Sequence, residues 1–363
     1  MKGPQPTPWL QAIPLYSPGI SKQTIRDMHG VAQPIKLASN ENALGPSPEA
    51  LKAISNFKEE IHLYPDPQSA LLRNAAANFF ACSPDRIIAG NGSDEIFDLI
   101  CRAFIQPNDK VIIPEITFSY YRIASMACGA QVLFTKMRDN QAIDTESIEQ
   151  AFALDAKIVF IANPNNPTGK YLNRDELLHL LEITPKQTLI VIDEAYASFA
   201  RADDFLSALD VLEEYQNLIV AKTLSKSHGL AGLRVGFGMA QEQLLESLLR
   251  IKPPFNVNIL AEKAGAAALS DTPFLTRTLE TTWEGLDYFY DQFDRLGLEY
   301  VPSQTNFVLL RLGRHARDVY QELLRRGIIT RYMNAPELME YIRITTGLPH
   351  ESQAFIAALE DVL

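Results

Sequence analysis

The sequence predicts an α/β fold built around a mainly parallel central sheet. Five short, continuous apolar runs fit strands that are buried on both faces, and helical patterns lie between them. The runs cover residues 86–89, 110–113, 157–162, 188–192 and 217–221. Strands and helices that alternate in this way form parallel sheets, which bind ligands at the carboxyl ends of their strands. A functional site is therefore expected in the loops that directly follow these runs.

The remaining elements predict a second, smaller α+β domain at the carboxyl end. Helical patterns cover 93–105 and 174–181 in the first part of the chain. Later come a helical stretch, a strand-like run, a second helix and a second strand-like run, at 274–296, 306–312, 316–326 and 341–345. The proline-rich beginning is typical of an extended arm. We expect an arm over 1–35, a large domain over 36–262 and a small domain over 263–363.

Composition excludes several classes of function. The 363 residues include 33 Lys+Arg and 44 Asp+Glu, a net charge of -11, which disfavours a protein that binds nucleic acid or an anionic membrane. Cys82, Cys101 and Cys128 lack the spacing of a disulfide framework or a zinc site, so no metal is expected and a reducing compartment is favoured. No apolar run is long enough to span a bilayer. A cytoplasmic protein is predicted.

The loop after the first run has the composition of a phosphate-binding turn. Gly90-Asn91-Gly92 precedes Ser93 and Asp94, which open a helix with Ser93 as its expected N-cap. Glycines allow close approach of a ligand, and free N–H groups at a helix start bind phosphate. An ordinary capped helix remains the alternative, and the loop fits neither G-x-G-x-x-G nor a Walker A motif.

Two further loops carry polar side chains at strand ends. The run 157–162 is followed by 163–169 (NPNNPTG), whose X-Pro pairs favour extended backbone at two asparagines or, alternatively, form only a rigid turn. The run 188–192 is followed by Asp193 and, three residues on, Tyr196. A carboxylate directly after a buried strand needs a cation or strong donors. A protonated ring nitrogen would suit Asp193, whereas capping of the next helix is the simpler alternative.

The last of these loops carries lysines in an unusual place. Lys222 and Lys226 follow the run 217–221 among small hydroxyl residues, with Arg234 close behind in the chain. A lysine that is shielded from water and lies beside another cation becomes a nucleophile able to bond an aldehyde. Arg234 would hold an anion through charge-assisted hydrogen bonds. A surface lysine remains the alternative, and Lys222 competes with Lys226 as the reactive one.

Together these loops contain the parts of a pyridoxal phosphate site. Such a site needs a lysine for the aldehyde, a carboxylate for the ring nitrogen, and donors for the ring hydroxyl and the phosphate. The same motifs resemble those of fold-type I pyridoxal-phosphate aminotransferases, and most closely those of the histidinol-phosphate aminotransferase family. The motifs that carry the resemblance are 37–48 (LASNENALGPSP), 63–67 (LYPDP), 163–169 (NPNNPTG), 193–196 (DEAY), 223–236 (TLSKSHGLAGLRVG), 304–308 (QTNFV) and 342–347 (IRITTG).

The resemblance implies a role for each residue around the cofactor ring. Lys226 would bond the aldehyde and later move a proton between the substrate Cα and the C4′ atom. Asp193 would pair with the ring nitrogen, and Phe118 would stack on the ring. Asn166 and Tyr196 would bond the ring hydroxyl.

It also implies how the cofactor phosphate is held and how the chains associate. Backbone at Ser93 and Asp94, the hydroxyl of Ser225 and the guanidinium of Arg234 would bind the phosphate. Tyr64 matches a residue that in relatives reaches the phosphate in the partner subunit, so a homodimer with shared sites is implied.

For the substrate, the resemblance implies an anion site. Arg343 would grip the phosphate or carboxylate, and Arg331 would assist. Tyr16, on the amino-terminal arm, would lie over the substrate, with Asn42 nearby.

The expected reaction is amino transfer between histidinol phosphate and 2-oxoglutarate, giving imidazole acetol phosphate and glutamate. An aromatic amino acid aminotransferase or a dual-specificity enzyme is the nearest alternative, because Arg343 suits phosphate and carboxylate alike. A related lyase, such as a phosphothreonine decarboxylase, needs the same cofactor parts. A nucleotide-dependent oxidoreductase and a non-catalytic binding protein are alternatives from other classes.

Overall fold

Within the described part of the chain, the strands form one large sheet, one smaller sheet and a short parallel pair. The structure is a computed structural model that describes residues 3–13 and 19–363. In chain order the strands are β1 (Ile35–Lys36), β2 (Ile87–Asn91), β3 (Lys110–Pro114), β4 (Gln131–Thr135), β5 (Ala156–Ala162), β6 (Leu189–Asp193), β7 (Leu218–Thr223), β8 (Val235–Ala240), β9 (Tyr300–Val301), β10 (Phe307–Arg311), β11 (Ile328–Ile329), β12 (Arg331–Tyr332) and β13 (Tyr341–Thr345).

Helices surround these sheets. In chain order they are α1 (Lys22–His29), α2 (Pro48–Phe57), α3 (Ala70–Phe80), α4 (Ser93–Phe104), α5 (Tyr120–Ala127), α6 (Thr145–Phe152), α7 (Arg174–Ile183), α8 (Glu242–Leu249), α9 (Ile259–Leu269), α10 (Thr272–Leu296), α11 (Ala316–Arg325) and α12 (Pro349–Glu360). Among the helices of the described ranges, none is both long enough and apolar enough to cross a membrane.

The large sheet has the strand order β2-β8-β7-β6-β5-β3-β4. β8 runs antiparallel to β2 and β7, and the other neighbours are parallel. Successive residues of a strand point to opposite faces, so in β5 Val159 and Ile161 join one core while Ile158 and Phe160 join the other. Helices α4, α5 and α8 cover the second face, and α3, α6, α7 and α9 cover the first.

The small sheet has the order β12-β13-β10-β9, and all its pairs are antiparallel. Its core joins Phe289 and Phe293 of α10 to Ile344 of β13 and Phe355 of α12. β1 pairs in parallel with β11, and this pairing connects the beginning of the chain to the carboxyl-terminal part. The domain limits at 35 and 262 remain predictions.

The predicted α/β architecture is confirmed, since all five apolar runs are strands of the large sheet. β4 and β8 were not predicted as strands. β8 contains Gly236 and Gly238, and two glycines this close together indicate a loop when only the sequence is considered. In the structure a methyl group at Gly238 would lie 2.9 Å from Ile96 of α4, so the glycine allows this helix to pack closely on the sheet.

Candidate active site

The carboxyl ends of three adjacent strands bring the predicted loops together. β5, β6 and β7 are parallel neighbours, and Asp193 is opposite Ala162 on one side and Ala221 on the other. The asparagine-rich loop, the Asp193 segment and the lysine loop therefore leave the sheet at the same edge. This is the edge at which parallel sheets bind ligands.

Asp193 is a buried carboxylate held by two donors. The Tyr121 hydroxyl donates to Oδ2 at 2.5 Å, and the Ala195 backbone N–H donates to Oδ1 at 3.0 Å. Burial raises the pKa of the Asp193 carboxyl from its ordinary value of 3.8 to about 6, against the lowering effect of the Tyr121 hydrogen bond. A cation beside Asp193 would oppose this effect of burial.

Tyr121 was not predicted as a site residue, although it follows the predicted Phe118 by three residues. Its ring is fully buried and stacks on Phe160 with centroids 5.0 Å apart. Phe118 packs edge-on against Tyr121 at 5.5 Å, so the aromatic side chains form one cluster beside Asp193. The sequence signal that could have identified Tyr121 is the pair of tyrosines at the start of α5, the helix that follows the end of β3.

The two lysines of the β7 loop have different surroundings. Lys222 forms an ion pair with Glu194, whose fully buried carboxylate also accepts from Ser207 and from the Ala208 N–H, both at 2.6 Å. The Lys226 ammonium donates to the Ser39 carbonyl at 3.3 Å. Lys222 is thus engaged in an ion pair, which favours Lys226 as the reactive lysine.

The glycine loop and Arg234 form the proposed phosphate cradle. Gly92, with φ 82°, is the N-cap of α4, so the expectation that Ser93 caps the helix is wrong. A methyl group at Gly236 would lie 2.3 Å from the Ser93 nitrogen, and one at Gly92 would lie 2.5 Å from the Arg234 guanidinium. These glycines leave the space that brings an arginine close to a helix amino terminus.

Arg234 contacts two of the other residues assigned to the phosphate. Its guanidinium donates to the Ser225 hydroxyl at 3.4 Å and to the Asp94 carboxylate at 3.2 Å. Burial raises the pKa of the Asp94 carboxyl, while the nearby Arg234 and Lys226 lower it. Asp94, Ser225 and Arg234 are therefore brought together, and Ser93 precedes Asp94 at the start of α4.

Asn166 and Tyr196 lie where the large and small sheets meet. The Asn166 carbonyl oxygen accepts from Arg343 at 2.6 Å. The Tyr196 hydroxyl accepts from the Asn40 amide at 2.8 Å, and its ring packs edge-on against Phe307. Asn40 was not predicted as a site residue.

The arginines predicted to bind the substrate anion are cross-strand neighbours. Arg331 of β12 is opposite Arg343 of β13. The guanidinium of Arg343 lies 5.1 Å from the centroid of the Phe307 ring and donates to the Ala38 carbonyl at 2.8 Å. Two positive charges at adjacent positions suit a phosphate group.

Asn42 lies at the margin of this arrangement, and Tyr64 lies on the surface of the protein. The Asn42 amide donates to Ser227 and Thr278, each at 3.1 Å, and so borders the lysine loop. Tyr64 is 81% exposed and stacks on Phe255, with ring centroids 4.6 Å apart. Tyr16 lies outside the described residues.

A model of the aminotransferase class I and II family matches residues 32–359. The chain belongs to this family. The match includes every predicted site residue except Tyr16, and it confirms the fold and the family expected from the motifs.

Among individual aminotransferases, the chain is similar to histidinol-phosphate aminotransferase of Geobacillus sp., with 39% identity over 354 residues, covering 98% of this chain and 97% of the relative. A crystal structure of histidinol-phosphate aminotransferase from Sinorhizobium meliloti in complex with pyridoxal-5'-phosphate superposes with a TM-score of 0.92 at 27% identity, covering 99% and 98%. L-threonine-O-3-phosphate decarboxylase from Porphyromonas gingivalis reaches 0.79 at 26% identity, covering 90% and 98%. This similarity shows that the same fold also occurs in a decarboxylase.

Proposed function

We propose that this chain is a pyridoxal-phosphate-dependent aminotransferase that exchanges an amino group between histidinol phosphate and 2-oxoglutarate in histidine biosynthesis. The observation that carries the proposal is the convergence of Lys226, buried Asp193 and the Arg234 cradle at one sheet edge. The proposal is also supported by the 39% identity of the chain to a histidinol-phosphate aminotransferase over nearly its whole length. The site suits that chemistry in both its cofactor part and its substrate part.

The residues present fit pyridoxal phosphate. The glycine-lined cradle suits a phosphate, and a buried carboxylate whose pKa is raised to about 6 suits a cationic ring nitrogen as its partner. Lys226 would hold the aldehyde, Asp193 the ring nitrogen, Asn166 and Tyr196 the ring hydroxyl, and Phe118 would stack on the ring. When bound, the cofactor supplies an electron sink for the substrate carbon that bears the amino group.

The side chains of the protein perform the proton movements and the positioning. Lys226 is the base placed to take the proton from that substrate carbon, because its amine lies on the same edge as Asp193. Asp193 would keep the ring nitrogen protonated, and the Tyr121 hydroxyl, which donates to Asp193 Oδ2, fixes the orientation of that carboxylate. Arg343 and Arg331 hold the anionic end of the substrate and thereby determine which bond faces Lys226.

The enzyme is proposed to act as a homodimer. Tyr64 and Phe255 form an exposed aromatic pair, and several large apolar side chains nearby in the sequence are also exposed. They are Leu51, Ile61, Leu63 and Leu71. An apolar surface of this kind favours association between subunits. Sedimentation should then give twice the mass of the chain. The cytoplasmic location remains a prediction.

The test is a single-turnover titration of the cofactor-loaded protein. Histidinol phosphate and phenylalanine are added separately while the cofactor absorbance is followed. Rapid conversion with histidinol phosphate alone supports the proposal and assigns Arg343 to phosphate. Equal or faster conversion with phenylalanine would make it an aromatic or dual-specificity aminotransferase, and release of CO₂ from phosphothreonine would make it a lyase.

The matched control is the Lys226→Ala variant. It should lose both the cofactor colour and amino transfer, whereas Lys222→Ala should keep the colour. A wild-type protein that stays colourless after reconstitution would overturn the proposal as a whole.

A further inference from the structure

Asn40 connects the cofactor side of the site to the small sheet. It is 2% exposed and has a left-handed backbone with φ 55°. Its backbone N–H donates to the Thr345 hydroxyl at 3.0 Å, and its carbonyl accepts from the Asn306 amide at 3.1 Å. Its side-chain amide lies between Thr345 of β13 and Tyr196, which follows β6. One buried side chain thus contacts both the small sheet and the loop that follows β6 of the large sheet.

These hydrogen bonds have a definite direction. Because the Thr345 oxygen accepts from the Asn40 N–H, its own proton is available for the Asn40 Oδ1 atom, 3.1 Å away. This bond orients the amide so that Nδ2 faces Tyr196 and donates to its hydroxyl oxygen at 2.8 Å. The reversed amide would leave the Thr345 proton without this acceptor. Thr345 therefore determines which end of the Asn40 amide meets Tyr196.

The direction has a consequence for Tyr196. A hydroxyl oxygen that accepts from an amide keeps its own proton for donation to a different acceptor. If the amide were reversed, Tyr196 would donate its hydroxyl proton to the Asn40 carbonyl oxygen, and this proton would no longer be available to a ligand in the site. The charged groups beside this network are Lys226, 5.9 Å from the Tyr196 ring centroid, and Arg343, 5.1 Å from the Phe307 ring centroid.

We infer that Asn40 is a positioning residue that makes Tyr196 a hydrogen-bond donor toward the ring hydroxyl of the cofactor. The inference rests on the proposed function and assigns a role to a residue that contacts no reacting group. A donor at that place stabilises the ionised ring oxygen. Because Thr345 is two residues from Arg343 on β13, the same network connects the substrate-anion strand to the cofactor.

The experiment follows the visible absorbance of the loaded enzyme against pH in the absence of substrate. The Tyr196→Phe variant removes the donor, and the midpoint of the absorbance change should rise by about one pH unit. Asn40→Gly tolerates the left-handed backbone and removes only the side chain, so it should fold and raise the midpoint by part of that amount. Thr345→Val, which frees the Asn40 amide to turn, should shift the midpoint in the same direction.

The control and the double variant separate positioning from stability. Asn306→Ala removes a bond to the Asn40 backbone and should lower the thermal unfolding temperature without moving the midpoint. Asn40→Gly combined with Tyr196→Phe should have the midpoint of Tyr196→Phe alone, because both act through one proton.

A midpoint in Asn40→Gly equal to that of the wild type would overturn the inference, and so would additive shifts in the double variant. Either result would leave the proposed function standing, provided the wild type is coloured and transfers amino groups. A colourless wild type would instead contradict the proposed function itself.

Discussion

Replacement of Asp193 by asparagine should stabilise the cofactor-free protein while it abolishes activity. Burial raises the pKa of the Asp193 carboxyl from 3.8 to about 6, so the folded state binds its proton more tightly than the unfolded state. One pKa unit corresponds to about 1.4 kcal/mol, and ionised Asp193 therefore costs the fold about 3 kcal/mol at neutral pH. The asparagine variant avoids this cost because it carries no charge.

The pH dependence has a definite sign. Because the folded pKa is above the unfolded one, the contribution of Asp193 to stability is complete below the unfolded value and is lost as the pH rises to about 6. Asp193→Asn should thus be more stable than the wild type by about 3 kcal/mol at about pH 7, and the difference should vanish near pH 4.

Urea unfolding of both proteins after removal of the cofactor measures the difference. Asp287→Asn is the matched control, because a hydrogen bond from Arg201 lowers the pKa of that exposed carboxyl and removal of its charge should slightly reduce stability at neutral pH. A stability difference for Asp193→Asn that is the same at both pH values, or of opposite sign, would refute the reasoning. A variant that gains stability and loses activity is the result expected when a buried charge serves function at the expense of the fold.

Three further substitutions test the surroundings of the site. Tyr121→Phe removes a donor to Asp193, so the pKa of that carboxyl should rise further. In a pH titration of cofactor affinity, the loss of binding that occurs when Asp193 is protonated should then begin at a higher pH than in the wild type. Lys222→Met leaves the buried Glu194 carboxylate without its cation, and urea unfolding should show a loss of about 3–5 kcal/mol, most of it recovered when Glu194→Gln is added. Gly236→Ala places a methyl group 2.3 Å from the first backbone nitrogen of α4, so equilibrium dialysis should show at least about tenfold weaker retention of pyridoxal phosphate, whereas Gly232→Ala, with open space around it, should behave as the wild type.

Much of this protein can be predicted from the sequence because its signals are local. A strand buried on both faces is a continuous apolar run, and the residues that follow it must lie at the sheet edge, whatever the rest of the fold. Asp193, Lys226 and the glycine loop were found in this way. The expectation that Ser93 caps α4 is wrong because the start of the helix depends on the backbone conformation of Gly92, which the residue types alone do not reveal.

Tertiary structure decided the interactions between segments that are distant in the chain. The distinction between Lys222 and Lys226 depends on Glu194, which is 28 residues away from Lys222. Tyr121 reaches Asp193 across 72 residues, and Asn40 meets Thr345 across 305. A hydrogen bond depends on distance and direction in space, and neither is encoded in local composition. The sequence by itself therefore determined the chemistry available at the sheet edge, and the packing of the two sheets determined which partner orients each group.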